Sequence, residues 1–426
     1  MRKIIILIAC LLCYTAIRAQ ITIEECVDKA MANYPAIVRY QLLDISESID
    51  LADITTSWYP RITLYAQATG QNAVPSFPSA LSNMVAQMGQ NIEGLSKFQY
   101  QGGVEVSQSI WDGGASRKRK DMTRAQTALR KAALDVEMYA IRERVENIYF
   151  AILLAETQIE RNRITHNLML NNLQKLQAML RNGTAMQADC DMLEARALTV
   201  TQSIARAQYA VKGYRQVLGL YTGEDMESAT LMQPDMPAIP AGESMRPELN
   251  LFSAQTDANN MADQLWRTGL RPKIGAFVQA YYGYPGMNYF KSMVDRNPSL
   301  NLLAGVKFTW NFDSFYTRTN NNRRTGIMNR EINADRDTFL FNTNLQRSSQ
   351  MQAIEAMQAV MKEDDRIVEL QANVRRAAES QLANGVIDIT ALLTKIADEN
   401  EAALNAKCHE IQLLQEIYKL KYVLNR

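Results

Sequence analysis

Histidine is the side chain best suited to proton transfer and metal ligation near neutral pH, and this sequence has only two, His166 and His409. They are too few for a metal cluster or a His-based triad, and each reads as a helix-surface or packing residue. No phosphate-cradling G-x-x-x-x-G-K-[ST] loop, no H-E-x-x-H and no G-x-S-x-G is present. Asp364 and Asp365 are adjacent carboxylates, but they sit in a charged helical stretch and are expected to face solvent. Methionines number 21, among them Met84 and Met88, then Met351, Met357 and Met361. Their thioethers suit soft metals, although core filling is the more ordinary use. Cys26, Cys190 and Cys408 are odd in number and widely spaced, so they imply no disulfide framework. Arg117-Lys118-Arg119-Lys120 is the one dense basic run, a solvated helix start rather than a phosphate contact. With 46 basic against 45 acidic residues and a formal net charge of +1, no basic face is expected for nucleic acid. Neither enzyme chemistry nor a cofactor nor a metal is expected, and function is left to shape.

The elements that would build that shape occur twice. Pro35 and Pro60 recur at one constant offset as Pro247 and Pro272. Tyr59-Pro60-Arg61-Ile62 is matched by Arg271-Pro272-Lys273-Ile274. The interval from Asp112 to Gly183 is nearly that from Asp313 to Gly385, and each glycine follows an asparagine, Asn182 or Asn384. An internal repeat of about 200 residues is a statement about architecture. The expected organisation is a signal peptide over 1–19, a first repeat over 20–221, a linker or equatorial segment over 222–245 and a second repeat over 246–426. Each repeat would run helix, β-hairpin, long helical hairpin.

The signal peptide rests on Arg2 and Lys3, the apolar run Ile4 to Ile17, and a small residue for cleavage at Ala19. Leu7-Ile8-Ala9-Cys10 formally fits a lipoprotein box, but the apolar run before it is short. Beyond Gln20 no uninterrupted apolar stretch of about 20 residues predicts a membrane helix. Several runs alternate instead. Ile62, Leu64, Ala66 and Ala68 oppose Arg61, Thr63, Tyr65, Gln67 and Thr69. Phe98, Tyr100, Gly102, Val104, Val106, Gln108 and Ile110 form a second stripe, and Ile274 to Tyr282 and Ala304 to Phe312 form two more. Strands of about 10–13 residues are long enough to cross a bilayer when tilted. A soluble sheet would show the same alternation. Four strands cannot close a barrel and open edges are not tolerated in lipid, so a membrane reading requires several chains to pool strands; three would supply about twelve.

Between Asp112 and Asn182 there is no proline, and the glycines Gly113 and Gly114 stand beside Asp112, a candidate N-cap. Seventy helical residues would extend about 105 Å. Cys190, Leu193, Ala197, Val200, Ile204, Ala207, Val211, Tyr214 and Leu218 form a heptad seam, with a similar stripe from Ile141 to Ile159. Asn182-Gly183 and Asn384-Gly385 read as tips of helical hairpins, glycine supplying the left-handed cap. Asn320-Asn321-Asn322 and Gly326 predict a distorted start to the second long helix.

Ile21 to Ala30 followed by Asn33-Tyr34-Pro35, then Ser109-Ile110-Trp111-Asp112-Gly113-Gly114 opening a long helix, then Asn182-Gly183 with Asp189, Leu193, Glu194 and Ala195, resemble the motifs of the TolC family of outer-membrane efflux proteins. The order of motifs covers essentially all of the chain after the signal. The resemblance implies a mainly α fold with a membrane β-barrel part: long helical hairpins forming an α-barrel, and four transmembrane strands per chain in a trimeric 12-stranded β-barrel. It also implies a homotrimer in the outer membrane, extending into the periplasm and surrounded by outer-membrane lipid. Such a duct passively conducts cargo from an inner-membrane pump, reached through a periplasmic adaptor. By the same resemblance Asn182, Gly183, Asn384 and Gly385 would meet the adaptor, and Asp189 would stand near the periplasmic constriction. The second tip departs from the family: Ala391 and Thr394 occupy positions where acidic residues are expected, and Asp388 is the nearest substitute. The other reading of the chain is an exported coiled-coil scaffold or binding protein.

Overall fold

The computed structural model describes residues 20–89 and 94–426. The expected signal peptide and four residues of the first hairpin loop, 90–93, lie outside the described residues. The chain divides into two units. One comprises Leu42–Arg130 and Ser253–Asn333; the other comprises Met1–Gln41, Lys131–Phe252 and Ala334–Arg426.

The first unit holds a four-stranded antiparallel sheet, β2 (Arg61–Gly70), β3 (Phe98–Trp111), β5 (Lys273–Tyr284) and β6 (Ser299–Thr309), in that spatial order. Each hairpin joins adjacent strands of one copy, and β3 with β5 joins the copies. Strands β2 and β6 each have one hydrogen-bonded neighbour among the described residues. Short helices, α3 (Ser79–Gln87) and α7 (Tyr289–Asp295), occupy the two hairpin loops. The register carries the alternation across the whole sheet. Ile62, Val106, Val278 and Ala304 pair in turn across one row, and Leu64, Val104, Ala280 and Leu302 across the next.

At the end of β3 the chain turns into a helix through Asp112. Its carboxylate accepts from the backbone N–H of Gly114 at 2.9 Å and of Ser116 at 2.6 Å, filling the orphan donors of the first turn. Gly113 has φ 73° and its carbonyl accepts from Arg271 at 3.2 Å. A Cβ there would lie 3.0 Å from that of Arg271, so both conformation and space require glycine. Helix α4 (Ala115–Arg181) then runs 67 residues unbroken.

The second long helix, α8 (Asp313–Met361), corrects the expectation of a distorted start. It runs 49 residues straight through Asn320-Asn321-Asn322 and Gly326. Short polar side chains weaken helices by bonding to their own backbone. Here they are engaged by the neighbouring helix α6 (Pro247–Arg267). Asn321 donates to Asp263 at 2.7 Å, and Asn322 accepts from Arg267 at 3.0 Å. Asn329 accepts from Asn259 at 2.8 Å and donates to Asn260 at 3.1 Å. The irregularity falls later, at Lys362 and Glu363, between α8 and α9 (Asp364–Ala383).

The second unit contains three hydrophobic clusters among its described residues. The largest gathers Cys26, Val27 and Ala30 of α1 (Ile23–Asn33), Ile141, Val145, Tyr149 and Ile152 of α4, Leu218 of α5 (Gln187–Thr222), and Leu414 and Tyr418 of α10 (Ile389–Leu424). The seam of α5 is buried or half-buried throughout, except at Tyr214, which is exposed. Helix α1 starts in a capping box, the Thr22 hydroxyl accepting from Glu25 N–H while Glu25 accepts from Thr22 N–H.

The 222–245 stretch, expected as a linker or equatorial segment, is tied to this unit by one short strand and side-chain bonds. Its strand β4 (Thr230–Leu231) pairs in parallel with β1 (Gln20–Ile21), and the Tyr149 hydroxyl lies 2.8 and 2.6 Å from the carbonyls of Ile21 and Met232. Arg215 donates to the carbonyls of Met226, Glu227 and Ala229 and pairs with Glu156 at 2.6 Å.

The carboxylates of Asp364 and Asp365 separate. Asp365 is exposed, but Asp364 turns inward and lies 2.9 Å from Nδ1 of His409. Thus one acid expected in solvent and one histidine expected at a helix surface or in packing are partners. The pairing crosses from α9 to α10, which the charge pattern of a single helix does not display.

Candidate functional site

Two surfaces stand out. On one face of the sheet every described strand residue except Gln108 is apolar, glycine or tyrosine. Ile62, Leu64, Leu300, Leu302 and Val306 on this face are each at least 68% exposed. A contiguous apolar patch of this kind marks contact with another protein or with lipid. The opposite face carries Arg61, Thr63, Gln67, Gln101, Glu105, Lys273, Gln279 and Lys307. One face suits hydrocarbon and the other water, the dyad pattern of a lipid-embedded strand around an aqueous lumen. Tyr59, Tyr100, Trp111, Tyr282 and Trp310 stand at or near strand ends, as an interfacial belt would require. Among the described residues no helix is long and apolar enough to cross a membrane.

The polar face is not uniform. At the end of the sheet that leads into the long helices, an open concavity of about 750 Å³ is lined by Arg61, Glu105, Lys273, Phe277 and Lys307 with neutral neighbours. The Phe277 ring lies across Gly305, where a Cβ would meet it at 3.0 Å. Arg61, Lys273 and Lys307 were legible as members of the alternating stripes. Their gathering at one end becomes visible only once register places β2, β5 and β6 side by side.

The second surface is the pair of helical tips, both in the second unit. Gly183 and Gly385 have φ 74° and 73° and close the same turn. At the first, Gly183 N–H donates to Leu180 O at 3.0 Å and Thr184 N–H to Met179 O at 2.9 Å. At the second, Gly385 N–H donates to Leu382 O at 3.0 Å and Val386 N–H to Gln381 O at 2.9 Å. These are Schellman caps. Beneath them Leu176, Cys190 and Leu193 pack in one cluster with Ala378, Ile389 and Leu392, so the two hairpins end side by side. Met192 and Thr390 touch, hydroxyl to sulfur, at 3.6 Å. Met186 and Val386 stand out at 72% and 69% exposed.

The expected gate acids have local partners. Asp189 accepts from Met186 N–H at 3.0 Å, and Asp388 accepts from Ala391 N–H at 2.8 Å. Each caps a helix start, from opposite ends of the first turn: α5 uses the acid at its third residue, which accepts from the N-cap backbone, and α10 the acid at its N-cap. Ala391 therefore contributes a backbone donor to the second tip, at a position where the resemblance to the TolC family leads to the expectation of a carboxylate. A short way along, Arg375 pairs with Glu379 at 2.9 Å and with Glu399, tying α9 to α10. No group of three or more His, Cys, Asp and Glu residues that could hold a metal ion occurs among the described residues.

No protein-family model matches the chain, and no curated protein matches it. Solved structures do. The outer-membrane channel OprN superposes with a TM-score of 0.66 at 14% identity, covering 94% of this chain and 89% of that one. The CmeC outer-membrane channel of Campylobacter jejuni gives 0.65 at 13% identity, covering 94% and 85%. CusC, described as forming a transmembrane channel, gives 0.66 at 12% identity, covering 95% and 92%. At these identities the likeness is one of fold: this chain is folded, over nearly its whole length, as those channels are.

Proposed function

We propose that the chain is one subunit of a TolC-family outer-membrane exit duct. Three copies close their sheets edge to edge into a 12-stranded barrel, and their helices continue it as a periplasmic tunnel. The observation that carries this reading is the sheet: four strands of bilayer-crossing length, apolar on one exposed face and polar on the other, with β2 and β6 unpaired on their outer sides among the described residues. Lipid does not tolerate such edges, and four strands cannot meet around a lumen, so closure falls to further copies. The two repeats then each supply one strand pair and one helical hairpin to the wall.

Cargo delivered by an inner-membrane pump passes through without chemistry by the duct itself. A periplasmic adaptor docks at the tips around Asn182-Gly183 and Asn384-Gly385, where Met186 and Val386 offer exposed apolar contacts. Asp189 and Asp388 hold the tip turns through which the periplasmic end opens. The test is extraction and conductance. The protein should sediment with outer membranes, need detergent for release, run as a heat-modifiable trimer and give discrete conductance steps in planar bilayers. A buffer-soluble monomer would instead establish the scaffold reading.

A further inference from the structure

We infer that the lumen of this duct is anion-selective and that its cargo is anionic: amphiphilic solutes bearing carboxylate, sulfate or phosphate. The inference rests on the duct reading, which turns the polar face of the sheet inward. On that face Arg61, Lys273 and Lys307 are cationic, and Glu105 is the one carboxylate among the described strand residues. All four lie toward the helix-proximal end. Lys273 is opposite Thr309, Lys307 opposite Gly275, Arg61 opposite Ser107, and Glu105 opposite Thr63 and Gln279. The far end of the same face, with Thr69, Gln99, Gln101, Ser299 and Asn301, is uncharged.

None of the three cations makes an ion pair with a described residue, and all three are exposed, while Glu105 is half-buried. Their charge is therefore not neutralised locally, and each subunit brings an excess of two positive charges to one zone. Clefts lined by one sign of charge within low-dielectric walls concentrate counter-ions. The zone is compact enough for its members to act together, because the Debye length is about 10 Å at 0.1 M salt. Phe277, lying over Gly305 among the cations, adds an apolar surface beside them. That combination suits an anion with a hydrophobic body. The carboxylates at the helical tips, Asp189 and Asp388, are each engaged in helix caps.

The test is a reversal-potential measurement under a tenfold KCl gradient, on detergent-extracted trimer in neutral-lipid planar bilayers. The wild type is expected to favour chloride over potassium by about 3-fold or more. Lys273→Gln with Lys307→Gln should bring the ratio toward unity, and Lys273→Glu with Lys307→Glu should favour potassium. The neutral pair serves where charge reversal impairs assembly. A conducting wild type that favours potassium, or a ratio unmoved by both pairs, would overturn the inference and leave the duct standing. Folded trimer that never conducts would overturn the duct reading and the inference with it.

Discussion

Replacing Val278 by arginine separates a lipid-facing sheet from a water-facing one. Val278 is near the middle of β5, opposite Val106 of β3 and Ala304 of β6, and 45% exposed on the apolar face. If that face meets water, an exposed substitution away from any cap or core changes stability by within about 0.5 kcal/mol. If it meets hydrocarbon near the bilayer midplane, arginine costs about 2–4 kcal/mol, and a trimer bears that cost in every subunit. Gln101→Arg is the control, because Gln101 lies on the polar face, opposite Gln67 and Gly283. Both variants would be refolded into vesicles and titrated with guanidinium, following the heat-modifiable band and tryptophan fluorescence. The expected result is a loss of about 2–4 kcal/mol per subunit for Val278→Arg and a change within about 0.5 kcal/mol for Gln101→Arg. Equally small changes in both would refute the assignment of the apolar face to lipid.

The tip glycines should matter through backbone conformation alone, since a Cβ at Gly183 or Gly385 would meet no atom within 4 Å. Gly→Val at either position is expected to cost about 1–2 kcal/mol and to open the tip to limited proteolysis, whereas Gly→Asn should be better tolerated. Asp388→Ala should lose the N-cap of α10, about 1 kcal/mol, while Asp388→Asn retains it. A change in cation permeability with Asp388→Asn at unaltered stability would assign its charge to the gate. Burial pushes the Glu146 carboxyl from an ordinary 4.5 up to about 7, with the hydrogen bond from Arg142 acting the other way. A raised folded-state value means that the native protein binds this proton more tightly than the unfolded chain does. Stability from this site is therefore full below about pH 4.5 and lost as pH rises through about 7. Glu146→Gln should remove a penalty on the order of 3 kcal/mol at alkaline pH and flatten the melting temperature across that interval.

Much of this molecule could be read directly from local pattern. Strand alternation about Ile62, Val104, Val278 and Val306, the heptad seam from Cys190 to Leu218 and the Asn-Gly tips are all short-range signals; register bears out the first, burial the second except at Tyr214, and backbone angle the third. The failures share one cause. Asn321 and Asn322 look like helix breakers because their partners, Asp263 and Arg267, lie on another helix. Asp364 looks solvated because His409 stands elsewhere in the chain. Likewise, Arg61, Lys273 and Lys307 read as separate outward positions until pairing collects them. Side chains whose meaning depends on a distant partner give no periodic signal. The capping bonds of Asp189 and Asp388 are different: their partners, Met186 and Ala391, stand three residues away in the chain.

The two unsatisfied edges of the sheet have a genetic consequence. In the proposed ring, edge β2 and edge β6, each with one strand neighbour among the described residues, are different surfaces, so copies would join head to tail, each chain contributing one edge to either neighbour. A chain crippled at β2 alone still presents a sound β6 and can be recruited before it blocks closure. In a cell making equal amounts of sound and crippled chains, only about one three-membered ring in eight would be free of the defect under random mixing. Lesions at either edge should therefore behave as dominant. Loss of the whole chain, which poisons nothing, should be recessive.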